Sequence, residues 1–329
     1  MNDKKFFEEI NILRGICVLL VVIGHVLTQS KTDNFIIDKI FQIVGIIIYS
    51  FHMHTFFFMS GFLSCKTLKY KFEEKEKYIR KRCCRLMLPY FVMGIIYTPL
   101  KIILSAYSRS EFSVTDIWKI FVGNNPDGAL WFLYSLFVIS TISCLIVKNE
   151  NLNYILGITC GLYILSFIYK SDIILLRSLL IYPFFFVLGI KVRLKYDWVK
   201  AIFYNKKFGM LALVGFATSC ILVIAMNISG FSVISTVTGL FLSLYLSKNI
   251  SINKGKIYKI FSTLAYYSMD IYILSEPIKV FFRIILKLVN VPTIISVVIM
   301  MGAALILPIV ISKLFVRKSK ILKKAFLGL

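Results

Sequence analysis

Acidic residues are scarce in this chain: 16 Asp and Glu stand against 39 Lys and Arg among 329 residues, leaving a formal charge of +23. Charged residues of both signs make up only 17%, well below the usual quarter for a soluble domain, while hydrophobic residues reach 58% and mean hydropathy is +0.81. A soluble fold is excluded on those grounds. Histidine occurs three times, at positions 25, 52 and 54. Seven cysteines, at 17, 65, 83, 84, 144, 160 and 220, show no zinc-type spacing, so neither a metal site nor a disulfide framework is expected. There is also no Pro- or Ser-rich linker and no low-complexity tract, which predicts one integral-membrane domain over residues 1–329 without an appended soluble domain. The first apolar run is too long for a cleaved signal and contains Arg14, so it is expected to remain as a membrane anchor.

What fills the chain instead is apolar runs of about twenty residues, each long enough to cross a hydrocarbon core of roughly 30 Å as a helix. Ten are discernible, over 10–29, 41–64, 86–105, 129–147, 153–169, 174–192, 209–227, 231–248, 260–280 and 293–315. The predicted class is therefore all-α and polytopic, with about ten transmembrane helices. The basic residues do not form a nucleic-acid surface. They sort into alternate loops, with Lys4, Lys5, the dense run from Lys66 to Arg85 and the run from Lys313 to Lys324 falling on one side. The positive-inside rule makes that side cytoplasmic and predicts that both termini lie there. The connection from Cys65 to Arg85 contains Phe72-Glu73-Glu74-Lys75-Glu76-Lys77, a candidate amphipathic helix at headgroup level. The longest outer connection, Ala106 to Gly128, holds the turn-forming Gly123-Asn124-Asn125-Pro126-Asp127-Gly128 between Trp118 and Trp131.

Arg14 and His25 share the first apolar run and are eleven positions apart, about three helical turns, so both emerge from one stripe. An Arg within a bilayer costs roughly 2.5 kcal/mol or more and normally faces a partner or a water-filled cavity. The alternative is an Arg that snorkels to the nearer headgroups and a His bonded to a neighbouring helix. His52 and His54 are two apart and point to different faces, which argues against a chelating pair; at most one shares a cavity with His25. Arg82 and Arg85, three apart, suit a guanidinium clamp for phosphate, or serve as ordinary topogenic charge.

Assembled in order, the segments resemble the acyltransferase 3 family of membrane-bound acyltransferases. The resemblance rests on Arg14 and His25 with ten residues between, Phe56-Phe57-Phe58-Met59-Ser60-Gly61-Phe62, Arg82 and Arg85 followed by Pro89-Tyr90, Leu130-Trp131-Phe132-Leu133, and Ser268-Met269-Asp270-Ile271-Tyr272-Ile273. It implies about ten helices and transfer of an acyl group, commonly acetyl, from acyl-coenzyme A to a hydroxyl of an extracytoplasmic carbohydrate. Two positions depart from the pattern: His54 stands where Pro is frequent, and Ser275-Glu276-Pro277 where a His often follows the Tyr motif. Glu276 then serves as a sugar-binding group or pairs with Lys279 at i+3.

The expected roles follow. A neutral imidazole is well matched to take a hydroxyl proton near pH 7, so His25 is the candidate catalytic base, or itself carries the acyl group in a two-step transfer. Arg14, Arg82 and Arg85 are candidate donor-binding residues, and Ser60, His52, Trp131 and Glu276 are candidate cavity or acceptor-binding residues. No permanently bound cofactor and no metal are expected; acyl-coenzyme A, acetyl-coenzyme A foremost, is the donor substrate. Expected partners are membrane lipid, the donor, a glycan acceptor and polysaccharide-synthesis proteins, with no nucleic acid, in a bacterial plasma or inner membrane. Competing classes are a transporter or flippase and a non-catalytic subunit of glycan assembly.

Overall fold

The computed structural model describes residues 7–103, 114–203, 205–226 and 231–329. Lys4, Lys5, Arg109 and the first part of the outer connection at 106–128 lie outside the described residues. Sixteen α-helices follow in chain order: α1 (Glu8–Gln29), α2 (Phe35–Tyr49), α3 (His52–Ser64), α4 (Phe72–Arg82), α5 (Leu88–Ile103), α6 (Trp131–Ile146), α7 (Leu152–Ile168) and α8 (Ile174–Ile181). Then come α9 (Pro183–Leu194), α10 (Tyr196–Phe203), α11 (Lys206–Met226), α12 (Phe231–Asn253), α13 (Lys256–Tyr266), α14 (Ser268–Leu288), α15 (Thr293–Ile311) and α16 (Lys320–Leu327). Eight helical stretches among the described residues are long and apolar enough to cross a membrane. The other two expected spans are also helical: α7 has 17 residues, and α14 carries Asp270, Glu276, Lys279, Arg283 and Lys287.

Local chemistry sets several boundaries. Glu8 and Glu9 place negative charge at the start of α1, where the helix dipole favours it. Asn34 caps α2 by accepting from the Ile36 and Ile37 amides. Pro183 opens α9 at a position where its missing N–H costs nothing. The expected amphipathic segment after Cys65 is α4.

Three expected single spans are broken, the one predicted as 174–192 at Tyr182, between α8 and α9. The run predicted as 41–64 starts earlier and divides at Ser50–Phe51, because Thr236 of α12 donates to the Ser50 carbonyl at 2.6 Å and His52 Nδ1 donates to the Ile48 carbonyl at 2.7 Å. The run predicted as 260–280 divides at Tyr267 into α13 and α14. At Ser50 and at Tyr266 the breaks free backbone carbonyls inside the bundle, and Thr236 and Arg317 donate to them.

α1 is the central helix. It packs on α12 and α13 and also meets α2, α3, α14 and α15, which is why Ile12, Leu13 and Cys17 are wholly buried. α3 and α9 approach backbone to backbone: a Cβ on Gly61 would stand 1.8 Å from the Phe186 carbonyl oxygen, and one on Gly189 2.1 Å from that of Phe58. Small residues permit such contact between membrane helices. Around it Phe57, Phe58, Phe62, Phe185 and Phe186 form the densest part of the core.

Candidate active site

The 3.6-residue period carries Arg14, Val18, Val21 and Val22 down one face of α1, and all four line a cavity of about 710 Å³. Met53, Phe56, Ser60 and Leu63 of α3, Phe132 and Leu136 of α6, and Ser268, Tyr272 and Ser275 of α14 complete its walls. A volume of this size lies within the range of small-molecule and cofactor sites. One end of the cavity is lined by Glu74, Lys77, Lys81, Arg82 and Arg85; the other stops at Val22 and Ser275.

At the basic end the three arginines have different surroundings. Arg82 is engaged: Nε donates to Tyr78 Oη at 3.1 Å, Nη2 donates to Ser64 Oγ at 2.9 Å, and the guanidinium lies 5.4 Å from the Tyr78 ring centre. Between Arg82 and Leu88 the chain makes a π-helical turn, Cys83–Met87. This wider turn means that Arg82 and Arg85 are not the simple i, i+3 clamp expected from an α-helix. Arg85 lies within the electrostatic reach of Arg82 as well as of Arg14, and neither Arg14 nor Arg85 has a hydrogen-bond or ion-pair partner among the described residues. Five cationic side chains, Arg14, Lys77, Lys81, Arg82 and Arg85, line the cavity against one carboxylate, Glu74, an excess of positive charge that suits an anion.

Beyond the cavity, half-buried His25 occupies the next turn of the Arg14 stripe. It does not line the cavity, so the continuous passage expected from Arg85 to His25 stops about one turn short. Its ring meets Tyr49 edge-on at 6.0 Å; Tyr49 in turn lies 5.3 Å from the buried His52 ring, and its hydroxyl is 3.1 Å from that of Thr28. The charges acting on His25 belong to Lys279 and Glu276 of α14. Those two form an ion pair, with the Lys279 side chain only 2% exposed. Pairing was one of the two expected roles of Glu276.

The structure separates the remaining candidates. Ser60 lines the cavity. His54 points away from His25, among Tyr163, Tyr182 and Phe185. Trp131 stacks on Tyr182 at 5.5 Å, whereas Trp118 is exposed.

One group was not singled out from the sequence. Asp127, in a stretch expected to be an outer turn, is 1% exposed. The segment is drawn inward: Asn125 Nδ2 donates to the Tyr90 carbonyl at 2.9 Å, Lys101 Nζ donates to the Pro126 carbonyl at 2.9 Å, and Tyr272 donates to the Ala129 carbonyl. Asp127 Oδ1 caps the following turn by accepting from the Ala129 amide at 3.0 Å, while Oδ2 has no hydrogen-bond partner. Burial, reinforced by the Glu276 carboxylate, pushes the Asp127 carboxyl up to about 7. The one available signal was an acidic residue just before a helix, the usual N-cap pattern.

A helical bundle built from membrane-length apolar segments, with an arginine-lined cavity and a half-buried imidazole about one turn beyond its end, defines a multi-pass membrane protein. The chain belongs to the acyltransferase 3 family, whose model, described as an acyltransferase domain, matches residues 7–313. It is accordingly a membrane acyltransferase. No curated protein and no solved structure matches the chain significantly.

Proposed function

We propose that the protein is an O-acyltransferase of a bacterial plasma or inner membrane, oriented with both termini in the cytosol. It takes an acyl group, acetyl foremost, from acyl-coenzyme A and places it on a hydroxyl of a cell-surface or secreted polysaccharide or its lipid-linked precursor. The observation that carries this reading is the Arg14 and Arg85 pair, neither held by an ion-pair partner among the described residues, on a cavity whose cationic side chains outnumber its one carboxylate, Glu74. Coenzyme A bears phosphates at its nucleotide end, which guanidinium forks recognise bidentately, and a thin pantetheine arm suited to the apolar walls formed by Val18, Val22, Phe56 and Leu136.

In this reading His25 removes the proton from the acceptor hydroxyl as its oxygen attacks the thioester carbonyl. The carbon–sulfur bond breaks, the acyl group passes to the acceptor oxygen, and the proton passes to the departing thiolate. Glu276 and Lys279 set the local field of the imidazole, and the acceptor approaches from the Asp127 side. Thioester and hydroxyl must meet at the turn between Val22 and His25, and positioning there supplies much of the rate.

The test supplies labelled acetyl-coenzyme A to the cytosolic face of membranes or proteoliposomes and follows label into extracytoplasmic glycan. Label in the glycan supports the proposal. Solute uptake without acylation, or no transfer with the protein present and folded, contradicts it. Mass analysis of surface glycans with and without the protein then identifies the acyl group and acceptor together.

A further inference from the structure

We infer that the segment from Arg317 to Gly328 is a strap that positions Arg85, which makes it part of the donor site; this rests on the donor reading above. The family match ends at residue 313, so the strap lies outside it.

Both ends of the segment are anchored. At its start, Arg317 Nη2 reaches Asp270 Oδ2 at 2.7 Å and also donates to the Tyr266 carbonyl at 3.1 Å, while the guanidinium lies over the rings of both Tyr266 and Tyr267, at 4.2 and 4.6 Å from their centres. Asp270 is fully buried. The chain then turns at Ser319, whose hydroxyl accepts from the Leu322 amide, and α16 packs against both α14 and α5.

At its far end Leu327 is 2% exposed, and Phe326 packs against the core cluster that contains Leu86 and Met87. Gly328 has φ +62°, and a Cβ there would stand 2.2 Å from the Cys84 carbonyl oxygen and 2.4 Å from Arg85 Cα. Backbone therefore rests directly on the turn that presents Arg85. Because Ser268 and Met269 at the start of α14 line the same cavity as Arg85 and Leu86, the strap joins its two walls. It sets the place from which the guanidinium addresses the donor without touching the donor itself. A π-helical turn has wider spacing than the surrounding α-helix, and single turns of this kind frequently sit at functional sites.

The test is steady-state kinetics of the full chain in membranes, with acetyl-coenzyme A varied against a fixed acceptor, and direct titration of the purified protein with coenzyme A. Gly328→Ala should raise the donor KM and the coenzyme A Kd about tenfold while kcat and the acceptor KM stay within about twofold. In an Arg85→Ala background the same substitution should add nothing, because the strap acts through that guanidinium. If Gly328→Ala does not accumulate, Leu327→Ala loosens the anchor without a clash and carries the same expectation. Independent, multiplying effects of the two sites, or a joint loss of kcat and both KM values, would overturn the inference while leaving the donor reading intact. An Arg85→Ala protein with unchanged donor KM would instead remove the donor reading, and the strap's role with it.

Discussion

Arg14 and Arg85 add two guanidinium charges to a cavity whose lining holds one carboxylate, Glu74, against five cations, so a ligand carrying phosphate meets an excess of positive charge there. His25 stands in the same stripe with a different role. His25→Ala is expected to abolish transfer from labelled acyl-coenzyme A, whereas Arg85→Ala chiefly raises the donor KM; full activity in the His25 variant would remove it as the base. Asp127 makes a separate claim on pH. Its carboxyl is raised to about 7, so the folded protein holds that proton more tightly than the unfolded chain does. The resulting stability is complete below the unfolded value near 3.9 and is lost as pH rises through about 7. Glu276, Lys279 and Lys101 are the charged groups acting on it. Asp127→Asn, which imitates the protonated form, should flatten that part of the melting-temperature profile. An identical profile in the variant would refute the assignment.

Breaks between helices set the walls of the site. The α13–α14 break exposes the Tyr266 carbonyl, and Arg317 takes it together with the buried Asp270 carboxylate. Removing one partner of such a pair strands a charge in the bundle and costs about 3 kcal/mol or more, while replacing both with apolar residues is far milder. Arg317→Met should therefore lower unfolding stability in detergent by about that amount, and the double variant Asp270→Leu, Arg317→Met should recover most of it. Equal losses in the single and double variants would show that no stranded-charge penalty follows the loss of Arg317, against this account. At the α2–α3 break, the same logic explains why His52 is buried and committed to the Ile48 carbonyl instead of offering a second base.

For the whole molecule, the basic loops predict which side faces the cytosol, and the structure provides a reporter for it. Cys83 and Cys84 are exposed beside the Arg85 turn. A membrane-impermeant maleimide should label them in inverted membrane vesicles and not in intact cells; labelling from outside would reverse the topology and place the basic mouth on the wrong side for a cytosolic donor. The broad architecture was legible because it depends on local properties. A run of twenty apolar residues must become a helix in lipid, since nothing else satisfies its backbone, and a spacing of eleven brings Arg14 and His25 to one face. The site was legible only in part. Arg82 looked like the equal of Arg85, yet Ser64 and Tyr78 hold it, and Asp127 looked like part of a solvated turn although Lys101 and Asn125 help draw that segment inward.

Hydrophobic run length, charge distribution and helical period thus decided on their own that this is a membrane helical bundle with an arginine and a histidine in one stripe. Which cations remain unpaired, where the spans break and which carboxylate lies near the imidazole were decided only by packing. The reason is physical: periodicity is written within a few turns of one helix, whereas a partner is chosen among side chains up to hundreds of positions away, by which helices touch and how closely.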